Sequence, residues 1–67
     1  MEVMCVRDLL RVIEDDERVC VDLPGKSSGV GFVHEFRRDL SDDFLSAHVT
    51  CVWRSQYDKI VIEAEVA

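Results

Sequence analysis

The sequence predicts a small α+β domain, with an N-terminal helix and a short second helix on one face of an antiparallel sheet of about four strands. Three observations carry that expectation. An early stretch repeats its apolar residues at helical spacing, several later stretches alternate apolar and polar residues, and turn-forming residues separate them. With 67 residues the chain is read as one domain, 1–67, and a domain of that size buries only about 60% of the surface its unfolded chain exposes. Its core is therefore marginal, and a partner or a staple is expected.

From Val6 to Ile13 the residues Val6, Leu9, Leu10 and Ile13 fall at i, i+3, i+4 and i+7, one face of a helix. Cys5 stands at the N-cap position with Asp8 three residues on, near the positive end of the helix dipole. The acidic run Glu14-Asp15-Asp16-Glu17 ends the helix. Next, Val19, Val21 and Leu23 alternate against Cys20 and Asp22, the period of a half-buried strand, and Pro24-Gly25 breaks it. Val30, Phe32, His34 and Phe36 alternate in turn, which predicts a second strand paired with the first. Ser41 before Asp42 and Asp43 signals a helix start, with Phe44 and Leu45 tucking one turn against the core. Two further strands follow: one puts Val49, Cys51 and Trp53 on one face, the other Ile60, Ile62, Ala64 and Val66, with the turn "RSQYD" between them.

The strand faces turned to water carry Cys20, Val33, Val52 and Val61 among the charges. A second apolar face on a small sheet calls for a cover. Together with the marginal core it predicts a homodimer or larger assembly, with Val33, Val52 and Val61 at its interface.

Composition narrows the function classes. Fourteen acids against eight bases give a net charge of −6, the opposite of what binding to a phosphate backbone requires, so nucleic acid is disfavoured as a partner. Mimicry of DNA by an array of carboxylates is the sharper reading of the acidic runs; solvated turns and helix starts are the plainer one. No apolar run approaches the roughly 20 residues that span a bilayer. The N-terminus lacks a basic segment followed by an apolar one, which excludes a secretory signal and places the protein in the cytoplasm, away from membranes. The three cysteines, Cys5, Cys20 and Cys51, are odd in number and widely spaced, so they are read as reduced, small hydrophobes.

The stretch "DLPGKSSGVGF", residues 22–32, brings a phosphate-binding loop to mind. Such a loop needs glycine six residues before its lysine, where this chain has Cys20, and a helix after it. The motif fails, and no cofactor is expected. A weaker form survives, in which free amides of the 25–29 loop with Lys26, Ser27 and Ser28 hold an anion, helped by Arg37, Arg38 or Arg54 from a second subunit. His34 and His48 have no second ligand at metal spacing, and no serine, threonine or cysteine sits in a nucleophile motif. Neither a metal nor a catalytic residue is assigned. Trp53 reads as capping the core, which leaves Arg54 and Tyr57 as exposed contact residues of the kind that anchor protein interfaces.

The order V-x-D-L-L at Val6 to Leu10, V-C-V-D at Val19 to Asp22, D-D-F-L-S-A-H-V at Asp42 to Val49 and I-V-I-E at Ile60 to Glu63 resembles small phage and prophage proteins of Gram-positive gut bacteria. Proteins of this size in that setting include inhibitors of host defence, anti-CRISPR proteins among them. The resemblance implies a non-enzymatic, oligomeric inhibitor or adaptor that binds a host protein. The competing expectation is a binder of a nucleotide or nucleic acid through Lys26, Ser27, Ser28 and arginines of two subunits.

Overall fold

The chain runs through helix α1 (Val6–Val12), strands β1 (Arg18–Leu23) and β2 (Lys26–Phe32), helices α2 (Val33–Asp39) and α3 (Asp42–Leu45), and strands β3 (His48–Arg54) and β4 (Ile60–Glu65). This is seen in a computed structural model that describes residues 4–66. Residues 1–3, the first part of the N-terminal stretch read for a signal, lie outside the described residues. No helix among the described residues is long and apolar enough to cross a membrane.

The fold is α+β, and its sheet is mixed. Strand order is β2-β1-β4-β3; the outer pairs β1–β2 and β3–β4 are antiparallel hairpins, and the central pair β1–β4 is parallel. The expected wholly antiparallel sheet therefore holds for each hairpin and fails where they join. A tight turn can only reverse a strand, whereas the long passage through α2, α3 and β3 returns the chain to run alongside β1 in the same direction.

All three helices pack on one face. Val6 and Leu10 of α1, Val33 of α2, Leu45 of α3 and Ala47 bury themselves against Val19, Val21, Leu23, Ile62 and Ala64 of the two central strands. Cys5 occupies the N-cap of α1 as expected, without a side-chain hydrogen bond. At the other end of α1 the guanidinium of Arg37 donates to the carbonyls of Leu10 and Ile13, each at 2.7 Å, and to the Asp15 carboxylate. One side chain thus satisfies carbonyls that the helix end leaves open.

Helix α2 stands where the second strand was expected to continue. Strand β2 begins at Lys26, immediately after the two-residue turn Pro24-Gly25, and stops at Phe32. The alternation of Val30, Phe32, His34 and Phe36 masks a helical set, Val33, Phe36 and Leu40 at i, i+3 and i+7, all packed in or against the core. The amides of Val33 and His34 anchor the helix start by donating to the carbonyls of Glu17 and Asp15. Gly31 makes room for it: a Cβ there would run into the ring of Phe36. Val33, assigned to an oligomer interface, is fully buried beneath α2 and cannot line one. His34 is exposed on the helix instead of facing from a strand, with its Nδ1 2.9 Å from the Asp15 carbonyl oxygen.

Both edge strands are irregular. In β2 two residues, Ser28 and Gly29, oppose Val21 alone, and Gly29 adopts φ +72°, the left-handed conformation that such a bulge requires. In β3 the register shifts between Val49 and Cys51, and Thr50 donates its hydroxyl to the Glu63 carbonyl at 3.1 Å. This second bulge overturns the expected common face of Val49, Cys51 and Trp53. Val49 packs against the core, while Cys51 and Trp53 pair with Glu63 and Val61 on the opposite side.

Candidate interaction surface

The bulges and the register define two sheet surfaces, because directly paired residues share a face and successive residues alternate. One face lies under the helices. The other is open, and its rows can be read across the strands. Val30, Cys20, Val61 and Trp53 form one continuous row through β2, β1, β4 and β3. Beside it run Ser27, Asp22, Glu63 and Cys51. On the other side Phe32 pairs with Arg18, and Lys59 precedes β4 in register with Arg18.

The apolar row is unevenly covered. Cys20 and Val61 are 9% and 5% exposed yet belong to no part of the helix-side core; they share a depression with Trp53 and the β3–β4 turn. Val30 and Trp53 at the two ends are 52% and 47% exposed, and Tyr57 in the turn is 70% exposed. Trp53 was read as a cap on the core. It lies on the open face instead, its Nε1 donating to Glu63 Oε2 at 2.7 Å. Between Trp53, Tyr57, Val61, Cys20 and Lys59 is a depression of about 490 Å³, apolar at its floor and polar at its rim.

The six contact residues expected from the sequence are not brought together. Lys26 points to the helix side, where its Nζ meets Asp43 at 3.1 Å and lies 5.0 Å from the Phe44 ring. Ser27 and Ser28 build the β2 bulge: the Gly29 amide donates to Ser27 Oγ at 3.2 Å and the Val21 amide to Ser28 Oγ at 2.8 Å. The Gly29 amide and both serine hydroxyls, groups a bound anion would have used, are engaged within the bulge, so the 25–29 segment is strand and bulge, not an open anion-binding loop. Arg37 closes the end of α1. Arg54 binds Glu17 at 2.9 Å and Asp58 at 2.8 Å, and hydrogen bonding to Glu17 holds its pKa above the ordinary arginine value. Of the six, only Tyr57 faces the depression with a side chain that makes no hydrogen bond among the described residues.

Of the expected interface residues, Val61 sits in the middle of the open face. Val52 does not. It pairs with the core residue Ile62 and so faces the helix side, where the edge position leaves it 46% exposed. The residues missed from the sequence are Val30, Phe32, Arg18, Lys59, Asp22 and Glu63. Arg18, Asp22, Lys59 and Glu63 stand in the polar phase of strands whose apolar phase was read for the core, whereas Val30 and Phe32 were read as the apolar phase of the second strand and lie on the open face instead.

The acidic runs do not form an uninterrupted carboxylate array. Asp15, Glu17, Asp42 and Asp43 pair with Arg37, Arg54, Arg7 and Lys26. Among the described residues no group of three or more histidine, cysteine, aspartate or glutamate side chains is placed to hold a metal ion. Cys5, Cys20 and Cys51 are free thiols; of the three, read as small buried hydrophobes, Cys20 is buried, Cys5 is half-buried and Cys51 is exposed on the edge strand β3.

Fold and surface together define a two-layer α+β domain with one sheet face left open. The chain matches no protein-family model, no curated protein and no solved structure.

Proposed function

We propose that the protein is a non-enzymatic interaction module whose contact surface is the open face of the sheet. One observation carries this reading: on the sheet face that the helices leave open, an apolar row crosses all four strands and ends in exposed Val30 and Trp53. A sheet face that only met water would carry polar residues along that row. An aromatic pair, Trp53 and Tyr57, beside a shallow apolar depression is the composition of a protein-binding hot spot. The biological setting, an inhibitor or adaptor of a host process such as antiviral defence, is read from the sequence resemblance.

The nucleotide-binding alternative loses support, since Lys26, Arg37 and Arg54 are each engaged by a different acidic partner and the serine hydroxyls accept backbone amides. The chain's two lysines offer a direct test, because Lys59 lines the open face and Lys26 the helix side. Treating cells that express the full chain with an amine-reactive cross-linker should join proteins through Lys59. Adducts confined to Lys26, or no protein adduct at all, overturn the reading.

A further inference from the structure

We infer that the occupant of the open face is a second copy of this chain, related by a two-fold axis that lies in the interface and runs along the row Val30-Cys20-Val61-Trp53. The inference rests on reading that face as the contact surface, and the distribution of its charges selects the partner. Along β1 the open-face residues are Arg18, Cys20 and Asp22; along β4 and the residue before it they are Lys59, Val61 and Glu63. Two bases therefore stand on one side of the apolar row and two acids on the other, with Arg18 and Asp22 roughly 13 Å apart at the usual rise per strand residue. Among the described residues Arg18 and Lys59 have no acidic partner within the chain, and Asp22 and Glu63 have no basic one. Every other basic residue that forms an ion pair does so on the helix side or in the turns.

Such a pattern is complementary to itself under one rotation only. A two-fold axis parallel to the strands would lay bases on bases and acids on acids. An axis across the strands reverses their direction, placing Arg18 over Asp22 and Lys59 over Glu63 of the second copy while the exposed ends of the apolar row, Val30 and Trp53, each meet their own image. An isologous contact of this kind is the usual geometry of small homodimers, and two sheets stacked face to face with strands nearly aligned are a standard packing. The association also supplies the second layer of apolar burial that a chain of this length lacks.

The test is charge reversal with rescue, read by sedimentation equilibrium at low salt with circular dichroism as the check on folding. The full chain should be a dimer. Arg18→Glu with Lys59→Glu gives an all-acidic face and Asp22→Lys with Glu63→Lys an all-basic one. Each double variant should be a folded monomer, their equimolar mixture should form a heterodimer, and the chain carrying all four changes should dimerise again. Val30→Asp, at an exposed edge position that the fold tolerates, should weaken association at least tenfold by opposing like charges across the axis. A wild-type chain that stays monomeric at about 100 μM, or double variants that dimerise as the wild type does, overturns the inference. A monomeric wild type whose Lys59 still cross-links to a different protein in cells sinks self-association and leaves the contact surface standing. Loss of both sinks the two together.

Discussion

Val61 and Ile62 are neighbours in β4, and they serve different surfaces. Ile62 is completely buried among Leu10, Val21 and the rest of the helix-side core. Val61 is nearly as buried, yet it is not part of that cluster and lies in the row between Cys20 and Trp53. The helix side is apolar throughout its centre, with its charges at the rim, where Arg7, Lys26, Arg37 and Arg38 each meet a carboxylate. The open side is apolar in one row only, flanked by charges that have no partner within the chain. The first pattern is that of a finished core, and the second that of a surface whose complement is elsewhere.

Substitutions on the two sides should separate these roles. Ile62→Ala should have the largest effect on stability, a loss of about 2–5 kcal/mol in urea unfolding, while the molecules that remain folded associate as before. If the folded fraction of Ile62→Ala associated more weakly than the wild type, the two surfaces would not be independent. Gly31→Ala should come next. Its new Cβ meets the Phe36 ring, and displacing α2 should cost about 1–3 kcal/mol without touching the open face. A stability equal to wild type would mean that the Phe36 ring turns aside freely.

Val52→Asp sharpens the comparison with Val30→Asp, since the two valines are similarly exposed at opposite edges of the sheet but face opposite ways. Val52→Asp should change stability by no more than about 0.5 kcal/mol and leave the sedimentation of the chain unchanged. Dissociation by Val52→Asp would show that the faces of β3 are assigned the wrong way round.

The smallest effect is expected at Asp39, on the helix side and exposed. A hydrogen bond from Arg38 holds its carboxyl below the ordinary carboxylate range. A group whose pKa is lowered by folding adds stability above its unfolded value and loses it as the pH falls through its folded value. Asp39→Asn should therefore lower stability slightly at neutral pH, with the difference from wild type vanishing as the pH falls through the carboxylate range. A stability that rises more steeply with pH in the variant would contradict the sign.

The helix side was largely legible from the sequence because it follows simple periods. Val6, Leu10, Val19, Val21, Leu23, Ile62 and Ala64 were all placed correctly by spacing alone. What escaped were the points where the period changes within a few residues. Val30 to Phe36 carries an alternation and a helical spacing at once, and only the long-range hydrogen bonds of Val33 and His34 to the acidic turn select the helix. The β3 bulge at Thr50 reversed Val52 and Trp53 together, since one extra residue turns every later side chain to the other face. The Gly-Lys-Ser stretch misled for a related reason. Glycine and two hydroxyls are the residues of an anion loop and also those of a bulge, and the choice between them depends on where the neighbouring strand's amides point.

The bulges in β2 and β3 set a limit on growth. They fall on the two strands that border the sheet, where a straight run of unpaired amides and carbonyls would invite another strand to add on. At Ser28-Gly29 and at Thr50 that run is interrupted and locally twisted, so neither border offers a continuous template. A pair of molecules joined through their open faces would leave only helices and these broken borders outside. Assembly then ends at two chains, and concentrated solutions should hold dimers rather than fibres.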